Sequence, residues 1–205
     1  MVRPSIHVIS TGEQTFAELS ETVSAVQQEI DFLHIREKQR SAAEIFAGIQ
    51  QLTDAGFPME RIILNDRADV AFVAGGFGVQ LTHHSLPVSQ VKQTFPELNV
   101  GKSVHSLKEA IDAKEEGADF FLYGNIYPTS SKPGKAGKGL DSLREIIRHV
   151  GCSVVGIGGI TPERSVDVIR TGAQGIAVMS GILQAEDPVK AAQAYRKEID
   201  GGRML

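Results

Sequence analysis

The stretch Val154-Val155-Gly156-Ile157-Gly158-Gly159-Ile160 is an apolar strand that ends in two glycines, and Gly175-Ile176-Ala177-Val178-Met179-Ser180-Gly181-Ile182 repeats that plan. Where a strand ends in glycine before a helix, an anion can approach the peptide N–H groups without obstruction, and the helix dipole adds positive potential. The two stretches therefore predict a phosphate cradle formed by Gly158, Gly159, Ser180 and Gly181. Phosphate sites of (β/α)₈ barrels usually follow the last two strands, so the pair favours that fold.

The rest of the chain alternates short apolar runs with longer segments of helical period, and eight such pairs can be counted. Two of the helices begin with Thr161-Pro162 and Asp187-Pro188, which combine an N-cap residue with proline in the first turn. The pattern predicts an α/β, single-domain (β/α)₈ TIM barrel over residues 1–205. A doubly wound open sheet is the structural alternative.

Composition narrows the function. The chain has 205 residues, 41% of them hydrophobic, and a net charge of -4 without a basic stripe, so we expect no nucleic-acid partner, while small anions remain suitable ligands. No apolar run is long enough to cross a membrane, which favours a cytoplasmic protein. The single cysteine, Cys152, excludes an internal disulfide and is expected to be a core thiol.

Polar side chains follow several predicted strands, at the end of the barrel where active sites gather. His34, Arg36 and Lys38 follow strand two at alternating positions, so we expect them to share one face and to bind anions. Strand five ends in Ser103 and His105, which also share a face; His105 is either a catalytic group or a helix-entry histidine that bonds to backbone.

Two further features bear on metals. Asn65-Asp66 end strand three, where the carboxylate suits a hard cation such as Mg²⁺. His83-His84 lie after strand four, but adjacent residues of an extended chain point apart, so this pair does not predict zinc.

The longest irregular stretch, residues 127–139, carries Lys132, Lys135 and Lys138 among glycines and prolines. Such a loop is either a solvated connection or a lid that closes over an anionic ligand.

Six stretches together carry a family resemblance: His34 to Lys38, Ile63 to Arg67, Ser103 to Ser106, Gly124 to Thr129, Val155 to Thr161 and Gly175 to Ile182. Over essentially its full length the chain resembles the thiamine phosphate synthase superfamily, and within it most closely the TenI-type thiazole tautomerases. The resemblance implies a (β/α)₈ barrel that binds a thiazole phosphate at the phosphate cradle. A homodimer is implied by the family alone.

The synthase branch of the family implies that a pyrimidine diphosphate and a thiazole phosphate are joined with loss of pyrophosphate, assisted by Mg²⁺ on two aspartates. Asp66 matches the first aspartate, but Ser85 occupies the place of the second, and His34 replaces a glutamine that is usual in synthases. The residues that match the basic and loop positions of synthases are Arg36, Lys38, Thr129 and Lys132.

The tautomerase branch implies that a carboxylated thiazole phosphate enters as a non-aromatic tautomer and leaves aromatic, by proton transfer without a metal. A histidine with a pKa near neutrality suits this step. The loop histidine of the tautomerases is Asn125 here, so His105 and His34 are the inward candidates, while Asn125 is expected to hydrogen-bond the ring or the carboxylate.

These features lead us to expect an isomerase, a thiazole tautomerase of thiamine biosynthesis that uses no cofactor and takes a small thiazole phosphate carboxylate as its ligand. The catalytic candidates are His105, His34 and Asn125. The substrate-binding candidates are Arg36, Lys38, Asn65, Ser103, Thr129, Lys132 and the phosphate cradle. The alternatives are a thiamine phosphate synthase with Mg²⁺ at Asp66 and a non-catalytic regulatory barrel that binds thiazole phosphate.

Overall fold

A computed structural model of the chain describes residues 3–129, 131 and 134–202. Eight parallel strands pair in chain order and close into a barrel, because β1 pairs with β8 through Ser5 opposite Gly175. The strands are β1 Ser5–Ile9, β2 Phe32–Ile35, β3 Ile62–Asn65, β4 Gly78–Leu81, β5 Asn99–Val104, β6 Phe120–Gly124, β7 Ser153–Ile157 and β8 Gly175–Val178. The predicted (β/α)₈ TIM barrel is confirmed, and the open sheet is excluded.

Helices connect the strands and cover the barrel. They are α1 Phe16–Val26, α2 Ala42–Asp54, α3 Ala68–Ala74, α4 Val88–Thr94, α5 Leu107–Glu115, α6 Gly139–Val150, α7 Pro162–Ile169, α8 Ser180–Leu183 and α9 Pro188–Gly201, with a 3₁₀ turn at Met59–Arg61. Capping fixes several starts: Thr15 and Ser41 each form a capping box with a glutamate three residues later. Pro162 and Pro188 occupy the first turns of their helices, as predicted.

The second glycine stretch differs from the prediction. β8 ends at Val178, and a single helical turn, α8, begins at Ser180, where we expected Ser180 and Gly181 to form the end of the strand. The turn forms because the N–H of Leu183 donates to the Met179 carbonyl at 3.2 Å and the N–H of Gln184 donates to the Ser180 carbonyl at 3.0 Å. Ser180 and Gly181 therefore lie at the start of a helix and not at the end of a strand.

The main core lies between the barrel and its helices. Alternate strand residues such as Val8, Leu33 and Val100 point outward and pack against helix residues such as Leu19 and other buried side chains. Burial of each large aliphatic side chain contributes about 1.5–3 kcal/mol, so this shell stabilises the closed barrel. Within the described part of the chain, no helix combines the length and apolar character needed to cross a bilayer.

Candidate active site

The barrel interior is built from stacked layers of four side chains, each drawn from alternate strands. The observed register places His34, Gln80, Leu122 and Ala177 in a central layer. The layer beneath it contains His7, Ile63, Gly101 and Val155, and the layer above, toward the carboxyl ends of the strands, contains Ile9, Asn65, Ser103 and Ile157.

The interior has a polar half and an apolar half. Leu122, Val155 and Ala177 of β6–β8 pack together with Ile9 of β1, and Ile157 and Met179 lie against them. The polar half faces them from β1–β5 and consists of His7, His34, Asn65, Gln80 and Ser103. A ligand that enters from the carboxyl ends of the strands meets both halves.

His34 points into the barrel as predicted, but it is only 1% exposed. Its Nε2 lies 2.9 Å from Nδ1 of His7. Burial, with a smaller effect of His7, lowers the pKa of His34 well below its ordinary value. Because burial disfavours the charged imidazole, this environment does not suit a base that titrates near neutrality.

His105 is half-buried where β5 ends. Its Nδ1 lies 2.6 Å from the carbonyl oxygen of Gly124, so Nδ1 carries a proton and donates it to that oxygen. The backbone-bonded alternative for this histidine is therefore present in the structure. Its peptide N–H donates to Glu109 at 2.8 Å, which joins it to the first turn of α5.

Arg36 follows β2 and is anchored through its backbone. Its peptide N–H donates to Ser10 Oγ at 2.8 Å, and that hydroxyl donates to Glu37 Oε1 at 2.7 Å. The buried Glu37 also pairs with Arg40 at 3.0 Å. The interpretation of the sequence missed Ser10. The alternative that the residues after strand two are solvated charges with Glu37 paired nearby agrees with the ion pair of Glu37.

Lys38 does not share the face of His34. β2 ends at Ile35, so strand alternation stops before Lys38, which lies in a turn and is exposed, whereas Arg36 is half-buried. The predicted common face of His34, Arg36 and Lys38 is wrong for Lys38, because its direction is set by the turn.

Asn65 ends β3, half-buried in the upper layer, and Asp66 follows it, exposed to solvent. Asp66 has a φ of 63°, a left-handed conformation that no other described non-glycine residue adopts. Its peptide N–H donates to the Gln80 carbonyl at 3.0 Å. Such strain is often kept at functional positions.

Asp66 offers one exposed carboxylate to a Mg²⁺ ion that a substrate would share. Ser85, which replaces the second aspartate of the synthases, accepts the N–H of Thr82 at 2.7 Å. Within the described ranges, no group of three or more His, Cys, Asp or Glu side chains could hold a metal ion. One carboxylate together with substrate phosphates and water is nevertheless a set that Mg²⁺ accepts.

Gln80 was missed by the sequence interpretation, although it lies inside β4 between apolar neighbours. Its Nε2 donates to Ser103 Oγ at 3.0 Å and to the Leu81 carbonyl at 3.3 Å. Ser103 is thus held in the upper layer by a side chain of the central layer. Gly101 leaves the space for this arrangement, because a Cβ there would overlap Gln80 and Phe120.

Asn125 is 5% exposed and maintains the loop after β6. Its side-chain Nδ2 donates to the Tyr127 carbonyl at 3.1 Å and to the Ala136 carbonyl at 3.5 Å. Its backbone carbonyl accepts the N–H of Lys138 at 2.9 Å. The expected role as a ligand-facing amide is not supported, because the amide nitrogen is used to close the loop.

The phosphate cradle lies where β7 and β8, which are neighbours, both end. Gly158 and Gly159 have φ values of 100° and 65°, and added Cβ atoms would overlap Asn125 and Pro128. These glycines allow the loop after β6 to pack closely on the end of β7. Ser180 and Gly181 are exposed at the start of α8. The four residues predicted to form the cradle therefore lie at the ends of neighbouring strands. Gly158 and Gly159 are also required for the close packing of the loop after β6.

Of the loop residues expected to cover the site, Thr129 is half-buried, and Lys135 and Lys138 are exposed. Lys132 lies outside the described residues.

A sequence model of the family described as "Thiamine monophosphate synthase" matches residues 6–182. Among curated proteins, the thiamine-phosphate synthases of Pyrococcus furiosus and Chloroflexus aurantiacus are each 39% identical, over 164 and 166 residues. These alignments cover 78% of this chain and 77% and 76% of those relatives. The Pyrococcus horikoshii thiamine-phosphate synthase is 33% identical over 94% of this chain and 93% of its own.

Comparison with solved structures gives the same family. Thiamine phosphate pyrophosphorylase from Pyrococcus furiosus superimposes with a TM-score of 0.83 at 30% identity, over 97% of this chain and 96% of that one. A 3-hexulose-6-phosphate synthase has a TM-score of 0.72 at 17% identity, over 95% and 99% of the two chains, a likeness that concerns the fold alone.

These relatives overturn the expectation of a thiazole tautomerase. They are named as synthases, which are transferases and not isomerases, and they cover most of the chain. The expectation depended on the departures from the synthases at His34 and Ser85, whereas Asn125 departs from the tautomerases. The side chains of His34 and Asn125 turn out to make internal hydrogen bonds, which explains why they were poor indicators of the reaction.

Proposed function

The chain belongs to the thiamine monophosphate synthase family, and from this we propose that it is a thiamine-phosphate synthase. It joins a pyrimidine diphosphate to a thiazole phosphate and releases pyrophosphate. The observation that carries the proposal is the similarity to curated thiamine-phosphate synthases, up to 39% identity over 78% of the chain.

The bond between carbon and the diphosphate oxygen breaks in this reaction, and its electron pair leaves with pyrophosphate. Positive charge at the barrel mouth must stabilise the leaving group. We assign this task to Arg36 and Lys38, with Lys132 from the loop, and we assign Thr129 to donate a hydrogen bond to the leaving group. The bonds from Ser10 to Arg36 N–H and to Glu37 support the assignment, because they hold the Arg36 backbone at the mouth.

Mg²⁺ would be held by Asp66 together with substrate oxygens, and when bound it would supply further positive charge for the leaving pyrophosphate. Asn65 and Ser103 line the entrance to the polar half of the interior, and we assign them to the pyrimidine. The apolar half, with Ile157 and Met179, suits the thiazole ring, whose phosphate would occupy the phosphate cradle.

Closure of the described loop residues 127–129 and 134–139 over the ligands would exclude water, which keeps the diphosphate from being hydrolysed instead of transferred. No step of this reaction requires His105 to act as the base that a tautomerase needs. We place the reaction in the cytoplasm. A homodimer remains a prediction for sedimentation to decide.

The test is to supply the full chain with pyrimidine diphosphate, thiazole phosphate and Mg²⁺ and to measure thiamine phosphate and pyrophosphate together. Arg36→Met should lower kcat/KM by about 10²–10³-fold, as for loss of a charge-stabilising group. Arg144→Met is the matched control, because Arg144 pairs with Asp141 on the outer surface of α6. Thiazole phosphate binding without product would instead support the non-catalytic alternative.

A further inference from the structure

Two side chains hold the backbone directly after β7, in the first half of the phosphate cradle. Arg164, in the first turn of α7, donates a guanidinium N–H to the Gly159 carbonyl at 3.2 Å. Tyr195, in α9, donates its hydroxyl proton to the Ile160 carbonyl at 2.8 Å. Neither side chain has a part in the reaction described above.

These two bonds fix the direction in which the peptide groups after β7 face. The peptide bonds that join Gly159, Ile160 and Thr161 are trans, and in a trans peptide the N–H points the opposite way from the carbonyl. The N–H groups of Ile160 and Thr161 therefore point away from the guanidinium and the hydroxyl that hold the carbonyls. Among the described residues, none accepts a hydrogen bond from either N–H group.

The glycines that precede these peptides give the turn a shape that suits an anion. Gly158 and Gly159 have positive φ values of 100° and 65°. Successive N–H groups in a turn of this kind form a concavity that binds anions. A carbonyl oxygen that faced the concavity would repel a phosphate. The concavity therefore suits phosphate while the carbonyls of Gly159 and Ile160 are turned away from it.

Tyr195 and Arg164 also join the cradle to other parts of the barrel. Tyr195 is 3% exposed, and an added Cβ on Gly181, in the second half of the cradle, would lie 2.6 Å from its hydroxyl oxygen. Burial, with a smaller effect of Glu163, raises the pKa of the Tyr195 phenol to about 12, so the hydroxyl keeps its proton and acts as a donor. The guanidinium carbon of Arg164 lies 4.9 Å from the centre of the Tyr127 ring, in the loop after β6.

We propose that Tyr195 and Arg164 are positioning residues of the phosphate cradle. They turn two carbonyls away from the thiazole phosphate, so that the peptide N–H groups after β7 donate to it. This deepens the proposed function, on which it rests. Because both side chains act through the backbone of the cradle, their loss changes the affinity for phosphate and not the chemical step. Tyr195 gives the sharper test, because its neutral hydroxyl does not attract the phosphate over a distance as the charge of Arg164 does.

The first measurement needs no synthase activity. Inorganic phosphate is titrated into the full chain and followed by its ³¹P signal, and Tyr195→Phe should weaken its binding about 3- to 10-fold, the effect of one lost hydrogen bond. Tyr123→Phe is the matched control, because Tyr123 is a buried tyrosine of the main core, and it should leave the affinity unchanged. Equal affinity in Tyr195→Phe and the wild-type chain, or no saturable binding by the wild-type chain, would overturn the proposal.

Arg164 supplies an independent variant at an exposed position. Arg164→Met should weaken phosphate binding to a similar extent, and its affinity relative to the wild-type chain should stay low in about 0.5 M KCl, because salt screens a charge but does not replace a hydrogen bond. Arg164→Lys keeps a donor and should restore most of the affinity. Arg170→Met, which removes an equal charge from the end of α7, where Arg170 pairs with Asp167 at 3.5 Å, should have no effect. A loss in Arg164→Met that disappears at high salt would overturn the positioning role of Arg164.

The second measurement uses the proposed reaction. Tyr195→Phe should raise KM for thiazole phosphate about 3- to 10-fold and leave kcat and KM for pyrimidine diphosphate unchanged, a split that a general loosening of the barrel would not produce. Equal increases in both KM values would refute the positioning role. If the wild-type chain forms no thiamine phosphate, the proposed function fails, and the phosphate titrations still decide whether Tyr195 and Arg164 hold the cradle.

Discussion

Ser10 Oγ donates a 2.7 Å hydrogen bond to the buried carboxylate of Glu37, and this pair joins the end of β1 to the turn that follows β2. The same hydroxyl accepts the N–H of Arg36 at 2.8 Å, and Arg40 closes the other side of the carboxylate at 3.0 Å. The Ser10–Glu37 pair thus positions Arg36, the residue that we assign to stabilise the leaving pyrophosphate.

Glu37→Leu should weaken both folding and substrate binding, because it leaves Ser10 Oγ and Arg40 Nε without their acceptor. We expect a loss of about 2–3 kcal/mol in the free energy of unfolding, measured in urea, as for a buried partner left unpaired. Under conditions in which the variant remains folded, kcat/KM should fall about tenfold, because Arg36 is no longer held in place. Glu21→Leu, at an exposed position of α1, is the control; equal effects in the two variants would contradict this role.

The buried histidines predict how stability depends on pH. Burial lowers the pKa of His7 to about 4, below the ordinary value of 6.5. Between these values the unfolded chain binds a proton that the folded chain does not, so stability falls as pH is lowered through this window. His7 alone should cost about 3 kcal/mol by pH 4 relative to pH 7.

His7→Leu should therefore lose part of this pH dependence, measured by urea unfolding at several pH values between 4 and 7. His84→Gln should keep the wild-type slope, because His84 is exposed. Parallel curves for His7→Leu and the wild-type chain would show that His7 does not have the lowered pKa.

Gly159→Ala should be more damaging than an ordinary glycine substitution at positive φ. The added Cβ would overlap the Pro128 carbonyl and Tyr127, in addition to the unfavourable φ of 65°. Gly56→Ala supplies the control, since Gly56 has a φ of 92° and no atom within 4 Å of the added Cβ. We expect about 1–2 kcal/mol from φ alone in Gly56→Ala and more in Gly159→Ala, by thermal or urea unfolding.

Thiazole phosphate affinity should fall in Gly159→Ala and stay unchanged in Gly56→Ala, which lies at the other end of the barrel, after α2. Calorimetric titration of each variant with thiazole phosphate measures these affinities. Equal affinity in both variants would argue against phosphate binding at the cradle.

Substitutions at Asp66 and Ser85 should change the Mg²⁺ requirement in opposite directions. Asp66→Asn keeps a residue type that tolerates left-handed φ and removes the charge, so the Mg²⁺ concentration for half-maximal synthesis should rise about tenfold or more. Ser85→Asp adds a second carboxylate and should lower it. Asp69→Asn is the control, because Asp69 pairs with Arg67. An unchanged requirement in Asp66→Asn would remove the assignment.

The repeating pattern of the chain was sufficient to predict the barrel. The helix starts at Thr161-Pro162 and Asp187-Pro188 were predicted where the structure has them, because an N-cap residue followed by proline is a local signal. The helix α8 was missed because four residues, Ser180–Leu183, are too few to show helical periodicity. Lys38 was misplaced because strand alternation was extended past the true end of β2 at Ile35.

The interior network needed the structure. The pairing of His7 with His34 depends on the register between β1 and β2, in which Ile9 lies opposite His34, and sequence spacing does not contain it. Asn125 resembled a substituted catalytic residue, yet its amide nitrogen closes its own loop. The reaction was mispredicted because single positions were given more weight than the similarity of the whole chain.

The most direct test of the central claim is a single turnover of the full chain with equimolar pyrimidine diphosphate and thiazole phosphate in the presence of Mg²⁺, with both products quantified. The proposal predicts one pyrophosphate released for each thiamine phosphate formed, at a rate that Arg36→Met lowers and Arg144→Met does not. No thiamine phosphate, or pyrophosphate released without it, would contradict the assignment as a synthase.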